Sequence, residues 1–246
     1  MRAKEITRQA RRWLVQGLAC AVSTVWIGLC GPAAQAATSG EIDALTDLYS
    51  STSGAGWEIN NNWLQGDPCN DNWYGISCNY SGGVTEINLF DNNLIGTLPS
   101  SLSKLTNLTT FDVFGNRLSG GFPSALTGLD QLNFIDLAEN QFSGLLPGSI
   151  GNLSNLTWLD LYSNQFSGTI PDDLRRLSKL EFLDLSDNRF TGAFPSSVTV
   201  LDRLRGLGLE NLNLTGTIPT SVANLKELVV FAANANGFSG GFPDLA

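Results

Sequence analysis

Asp112, Asp136, Asp160 and Asp184 recur at a step of 24 residues, each between two apolar neighbours, as in the Leu183-Asp184-Leu185 of LDLSDNRFTGAFPSSV. Glycoside hydrolysis needs two carboxylates about 5 to 10 Å apart. If these aspartates lie on adjacent strands about 4.8 Å apart, alternate members fall in that range. Such chemistry also needs an acid and a base of different pKa, which identical surroundings do not provide. The chain has no histidine and no Ser-Lys or phosphate-loop motif, so no enzyme activity and no cofactor or metal is expected. The same phase carries Phe114, Phe134, Trp158, Tyr162 and Phe182. Aromatics gathered around acids on a rigid face characterise recognition surfaces. They suit a peptide bearing Lys or Arg, through ion pairs and cation–π contacts, or a carbohydrate.

What positions these residues is a repeat. Asn92, Asn116, Asn140, Asn164, Asn188 and Asn236 lie at multiples of 24, as do seven glycines from Gly96 to Gly240 and seven prolines from Pro99 to Pro243. In the fourth unit the apolar positions are Leu156, Leu159, Leu161, Phe166, Ile170, Leu174 and Leu177. The Leu-x-Leu step has the period of a strand, turning Leu159 and Leu161 inward and Asp160 outward. The later spacing of four and three suits a helical turn, and Gly and Pro punctuate the chain where it reverses. One such unit cannot bury its apolar side alone; stacked units build a continuous core. An inward asparagine, with two donors and an acceptor, can tie the backbone of one coil to the next.

Three columns of outward side chains follow. The middle one reads Asn88, Asp112, Asp136, Asp160, Asp184, Gly208, Ala232; two residues before it stand Glu86, Thr110, Phe134, Trp158, Phe182, Gly206, Val230; two after it, Phe90, Phe114, Ala138, Tyr162, Ser186, Glu210, Asn234. No column is mostly threonine, which argues against ice or surface adsorption. The sixth unit carries Leu212 where asparagine belongs, a break in the ladder.

Charge excludes one class of partner. The net charge is -9, and beyond residue 36 nine basic residues face 22 acidic ones. That surface repels phosphate backbones, so no nucleic acid is expected. The first 36 residues combine a basic start, an apolar stretch and Ala34-Gln35-Ala36, the pattern of a cleaved secretory signal. The expected location is therefore extracellular, or periplasmic in a bacterium, with no membrane anchor after cleavage. Two cysteines remain, Cys69 and Cys78, and in an oxidising compartment they are expected to bridge. Asn79, Asn107, Asn152, Asn155 and Asn213 begin glycosylation triplets.

The unit Leu-x-x-Leu-x-Leu-x-x-Asn-x-Leu-x-Gly-x-Ile-Pro resembles the plant-type leucine-rich repeat over residues 84–246. The resemblance implies an α/β repeat fold: a right-handed leucine-rich-repeat solenoid whose parallel strands line a concave face. Trp57, Trp63, Asp67-Pro68-Cys69, Trp73, Gly75 and Cys78 resemble the N-terminal disulfide cap that precedes such repeats. The expected organisation is a signal over 1–36, a cap over 37–83 and seven repeats over 84–246, the last incomplete. Thr38 and Glu41 read as a capping box opening a helix with Ile42, Leu45, Leu48 and Tyr49 on one face. The family includes plant receptor ectodomains and polygalacturonase-inhibiting proteins. A protein or peptide ligand is therefore expected; the alternative is a carbohydrate-binding module or an inhibitor of a polysaccharide-degrading enzyme. The three cap tryptophans are expected to be packed core beside the disulfide, with carbohydrate binding as the lesser alternative. An uncapped final coil raises the expectation of a dimer or partner contact there.

Overall fold

The computed structural model describes residues 35–241. The expected leader, apart from its last two residues, and the final proline of the series lie outside the described residues. Helix α1 (Ser39–Ser51) opens the described chain, and the capping box is present: the Thr38 hydroxyl accepts the Glu41 N–H, and the Glu41 carboxylate accepts the Thr38 N–H. Glu41 has a further role, since its second carboxylate oxygen accepts the Val84 N–H at 2.9 Å and ties the helix start to the first repeat strand. Ala44, Leu45 and Leu48 are fully buried, while Ile42 and Tyr49 are half-buried.

Trp57, Trp63 and Trp73 are buried and packed ring against ring. Each indole N–H donates to a backbone carbonyl, of Thr52, Tyr74 and Gln65 respectively. They are core with satisfied donors, as aromatics beside a disulfide are expected to be, and form no open sugar platform. Cys69 and Cys78 are disulfide-bonded, with Cα atoms 5.5 Å apart.

The repeats build two sheets. An eight-stranded sheet starts with β1 (Ile76–Cys78), antiparallel to β2 (Val84–Asn88). Parallel strands Thr110–Asp112, Phe134–Asp136, Trp158–Asp160, Phe182–Asp184, Gly206–Gly208 and Val230–Ala232 continue it. A seven-stranded parallel sheet is made by Ile95–Thr97, Arg117–Gly120, Gln141–Leu145, Gln165–Thr169, Arg189–Ala193, Asn213–Gly216 and Gly237–Phe238. Right-handed crossovers are the rule for parallel connections of this kind. The result is the leucine-rich-repeat solenoid the sequence pattern implies.

The helical segment of each unit is a five-residue 3₁₀ turn, beginning directly after its proline, as at Ser100–Lys104 after Pro99 and Asp172–Arg176 after Pro171. Proline fixes φ and starts the turn. The following bonds step by three: Leu174 N–H to Pro171 O, Leu177 N–H to Leu174 O, Leu180 N–H to Leu177 O. That spacing stacks Leu174, Leu177 and Leu180 on one buried side. Gly168 sits at φ +78°, the left-handed region where a side chain is strained, at the end of the second strand.

Inside the coil, Phe142, Phe166 and Phe190 stack with centroids 6.2 and 6.3 Å apart, all fully buried. The asparagine ladder takes the form expected. Asn164 Oδ1 accepts the Phe142 N–H at 2.9 Å, and its amide donates to the carbonyls of Leu137, Leu161 and Tyr162. Asn116, Asn140, Asn188 and Asn236 repeat that pattern. Leu212, 4% exposed, interrupts it.

Candidate functional site

The register of the eight-stranded sheet aligns the outward columns residue for residue. Phe134 pairs with Trp158, Trp158 with Phe182 and Phe182 with Gly206. Asp112 pairs with Asp136, Asp136 with Asp160, Asp160 with Asp184, and Asp184 with Gly208. The third column is held by bonds such as Asp91 N–H to Phe114 O, Glu139 N–H to Tyr162 O and Asp187 N–H to Glu210 O. All nine expected residues therefore share one face.

Their state differs from the expectation. Each aspartate turns one oxygen back onto its own chain and accepts the N–H two residues ahead: Phe114 from Asp112, Ala138 from Asp136, Tyr162 from Asp160, Ser186 from Asp184, at 2.8 to 3.0 Å. In the full-length chain Asp136, Asp160 and Asp184 are 0% exposed and Asp112 9%. The carboxylate replaces a missing acceptor at the strand end, where the backbone leaves the ladder. Trp158, Tyr162 and Phe182 are likewise buried in the full-length chain, and Phe114 and Phe134 half-buried. Phe134 stacks on Trp158 at 5.6 Å, and Trp158 on Phe182 at 3.8 Å.

Burial first, then the charges of Glu210 and Asp187, push the Asp184 carboxyl up to about 6, against the lowering effect of its hydrogen bonds to Ser186. The Tyr162 phenol is pushed up as well, by burial and by its hydrogen bond to Asp187. Among the described residues, no three His, Cys, Asp or Glu side chains gather as a metal site.

Ser186, Glu210, Gly206 and Gly208 fall in the outward columns without being among the expected contacts, and Asp187 lies beside them outside the columns. Ser186 Oγ accepts the Glu210 N–H at 3.0 Å, and Asn211 Nδ2 donates to Asp187 at 2.6 Å. The available signal was the stretch Gly206-Leu-Gly-Leu-Glu210, which keeps the inward leucines and drops both outward side chains.

Leucine-rich-repeat family models match residues 83–105, 107–129 and 130–190. Residues 83–190 thus carry leucine-rich repeats, similar to those of plant receptor-like kinases. A probable leucine-rich repeat receptor-like protein kinase of Arabidopsis thaliana is 40% identical over 55 residues, 22% of this chain and 6% of the relative. The PEPR1–AtPEP1 structure superposes with a TM-score of 0.76 at 29% identity, covering 84% of this chain and 29% of that one. The Arabidopsis receptor kinase HAESA, solved with the peptide hormone IDA and the co-receptor SERK1, gives 0.72 at 27%, covering 80% and 34%. The leucine-rich-repeat chain spans 6 to 10% of the length of the curated relatives it matches. Two solved neighbours are described as leucine-rich-repeat ectodomains of plant receptor kinases. No helix among the described residues is long and apolar enough to cross a membrane.

Proposed function

We propose that this chain is a secreted peptide-binding module that receives its ligand along the open face of the eight-stranded sheet, with residues 1–36 removed as a signal, 37–83 acting as a cap and the repeats over 84–246 carrying the face. The observation that carries the reading is the continuous Phe134–Trp158–Phe182 stack in register with the acidic column. An extended peptide laid across parallel strands would meet one ring and one acid per coil, so affinity accumulates with the number of coils crossed. Solved neighbours described as receptors in complex with peptide hormones support a peptide as the ligand. Asp112, Asp136, Asp160 and Asp184 set the negative field of the face, while Phe114, Phe134, Trp158, Tyr162 and Phe182 supply its apolar contact.

The test is capture from a library of ten-residue peptides by the purified chain, repeated with Trp158→Ala. Loss of about 2 kcal/mol of binding, the scale of an aromatic anchor, with an unchanged circular-dichroism spectrum is the expected outcome. Unaltered affinity for every captured peptide removes this face from consideration.

A further inference from the structure

The expected cut after Ala34-Gln35-Ala36 falls at a nitrogen that the fold already holds. The Ala37 N–H donates to Asp67 Oδ2 at 2.9 Å, and Ala37 is 8% exposed. The next residue, Thr38, caps helix α1. Asp67 is itself fixed: its Oδ1 accepts the N–H groups of Cys69 and Asn70, both at 3.0 Å, in the turn that enters the Cys69–Cys78 disulfide. One carboxylate thus joins the disulfide turn to the first residue after the cut.

Upstream of that nitrogen the chain is held differently. The Gln35 N–H donates to Tyr80 O at 3.2 Å, and the Gln35 and Ala36 carbonyls pass directly over Gly82. Hydrolysis of the Ala36–Ala37 bond by a signal peptidase consumes one water, leaves a carboxylate on Ala36 and converts the Ala37 N–H into an ammonium group. Departure of Gln35 and Ala36 opens that side to water, which hydrates the two N–H bonds not aimed at Asp67.

Charge decides what the new group gains. A cation at the N-terminal end of α1 opposes the helix dipole, a cost that falls off within the first turn. Against it, a charge-assisted bond to a carboxylate is about twice as strong as a neutral one. The ionisable neighbours are acids: Asp71, whose carboxylate accepts the Asp67 N–H, and Glu41, whose carboxylate accepts the Thr38 N–H. Lys104, beside Gly40, is paired with Asp43.

We propose that Ala37 is the first residue of the mature chain and that Asp67 is the seat of its α-ammonium group, so that removal of the leader adds an ion pair between the helix start and the disulfide turn. The seat rests on the removal of residues 1–36 in the proposed function. Pairing holds the folded amine protonated to higher pH than the unfolded one, which titrates at about 8. The added stability is therefore complete below about pH 8 and is lost as pH rises through the folded value.

The experiment prepares the mature chain with Ala37 first, as wild type and as Asp67→Asn, which keeps an acceptor for Cys69 and Asn70. Each is compared in urea unfolding at pH 7 with its Nα-acetylated form. Acetylation should raise the unfolding equilibrium constant of wild type about fivefold. In Asp67→Asn it should leave the constant unchanged or lower it, because only the dipole cost is then removed. The wild-type difference should fade as pH rises beyond about 8, and that pair alone decides the matter where the variant fails to fold. No effect in wild type, or an equal effect in both backgrounds, overturns the seat. The intact mass of the chain secreted with its own leader tests the cut separately, and residues 37–246 are expected. A product beginning elsewhere sinks the processing and the seat's part in it. A product beginning at Ala37 without the acetylation effect sinks the seat and leaves the processing intact.

Discussion

Replacing Asn188 by alanine should cost more than replacing Asn164, although the two occupy the same place in successive coils. Asn164→Ala removes the acceptor of the Phe142 N–H. Its three carbonyl partners each keep another donor: Leu137 O retains Asn140, Leu161 O retains Asn188, and Tyr162 O retains the Glu139 N–H. One orphaned buried N–H costs about 1 to 3 kcal/mol. Asn188→Ala likewise orphans the Phe166 N–H. Ser186 O retains the Ser163 N–H and Leu161 O retains Asn164. Leu185 O, however, accepts from Asn188 alone among the described residues, because the next coil offers Leu212 in place of an amide. The second orphan adds about 1 kcal/mol. The measurement is urea unfolding of both single variants, then of both in a Leu212→Asn background, where Leu185 O gains a second donor. The excess cost of Asn188→Ala should appear in the native background and vanish in the other. Equal costs in both backgrounds would refute the claim that the ladder is shared between neighbouring coils.

Asp184 binds its proton more tightly folded than unfolded, so the folded state loses stability as pH rises from about 4 to about 6 and is flat above. A shift from 3.8 to about 6 corresponds to roughly 3 kcal/mol. Asp184→Asn, which keeps an acceptor for the Ser186 N–H, should therefore match wild type near pH 4 and exceed it in urea unfolding at pH 7; no gain at pH 7 contradicts the assignment. Asp160→Asn should leave stability within about 0.5 kcal/mol and Asp160→Ala should cost about 1 kcal/mol through the lost Tyr162 N–H bond, read from the same unfolding curves. Gly208→Ala should destabilise by about 1 to 3 kcal/mol through overlap with the Asp184 carboxyl, and by less in an Asp184→Ala background, a coupling that a double-mutant cycle reports. Replacing Cys69 and Cys78 together by serine should lower stability by about 2 to 4 kcal/mol, seen as a lower Tm.

The repeat was legible because periodicity is carried by the one-dimensional chain. The spacing of Leu159 and Leu161, the inward asparagines and the alignment of Phe134, Trp158 and Phe182 all follow once a 24-residue coil is recognised. The helical turn became 3₁₀ because only five residues remain for the back of each coil, as at Asp172–Arg176, too few for α-helical bonding to propagate. What spacing alone did not show was where an outward side chain goes after it leaves the strand. Asp160 points away from the core as its phase requires, then folds back onto the Tyr162 N–H. That choice depends on a local backbone donor and not on any repeat. The cap tryptophans were ambiguous for a related reason: an indole reads the same in sequence whether its N–H meets solvent or, as in Trp57, the Thr52 carbonyl at 2.9 Å.

This distinction bears on where function can reside in a regular array. A residue that obeys the repeat has, by construction, the same partners in every coil, and those partners are already part of the scaffold. Asp112, Asp136, Asp160 and Asp184 all spend one oxygen on the same backbone bond. Four equal acids cannot select an orientation for a ligand, since sliding it by one coil restores the same contacts. Selection requires a place where translation is broken, and the described face breaks sharply at Gly206 and Gly208, one coil beyond the last aspartate, with Glu210 and Leu212 following. There the strand partner of Asp184 is a glycine rather than another aspartate, and the Asp184 carboxyl lies over it. The regular coils would then supply affinity in proportion to the length crossed, and the irregular one would fix register. A ligand shifted by one coil meets the same column positions in the regular units and different ones at the sixth, which makes that unit the part of the molecule where register can be fixed.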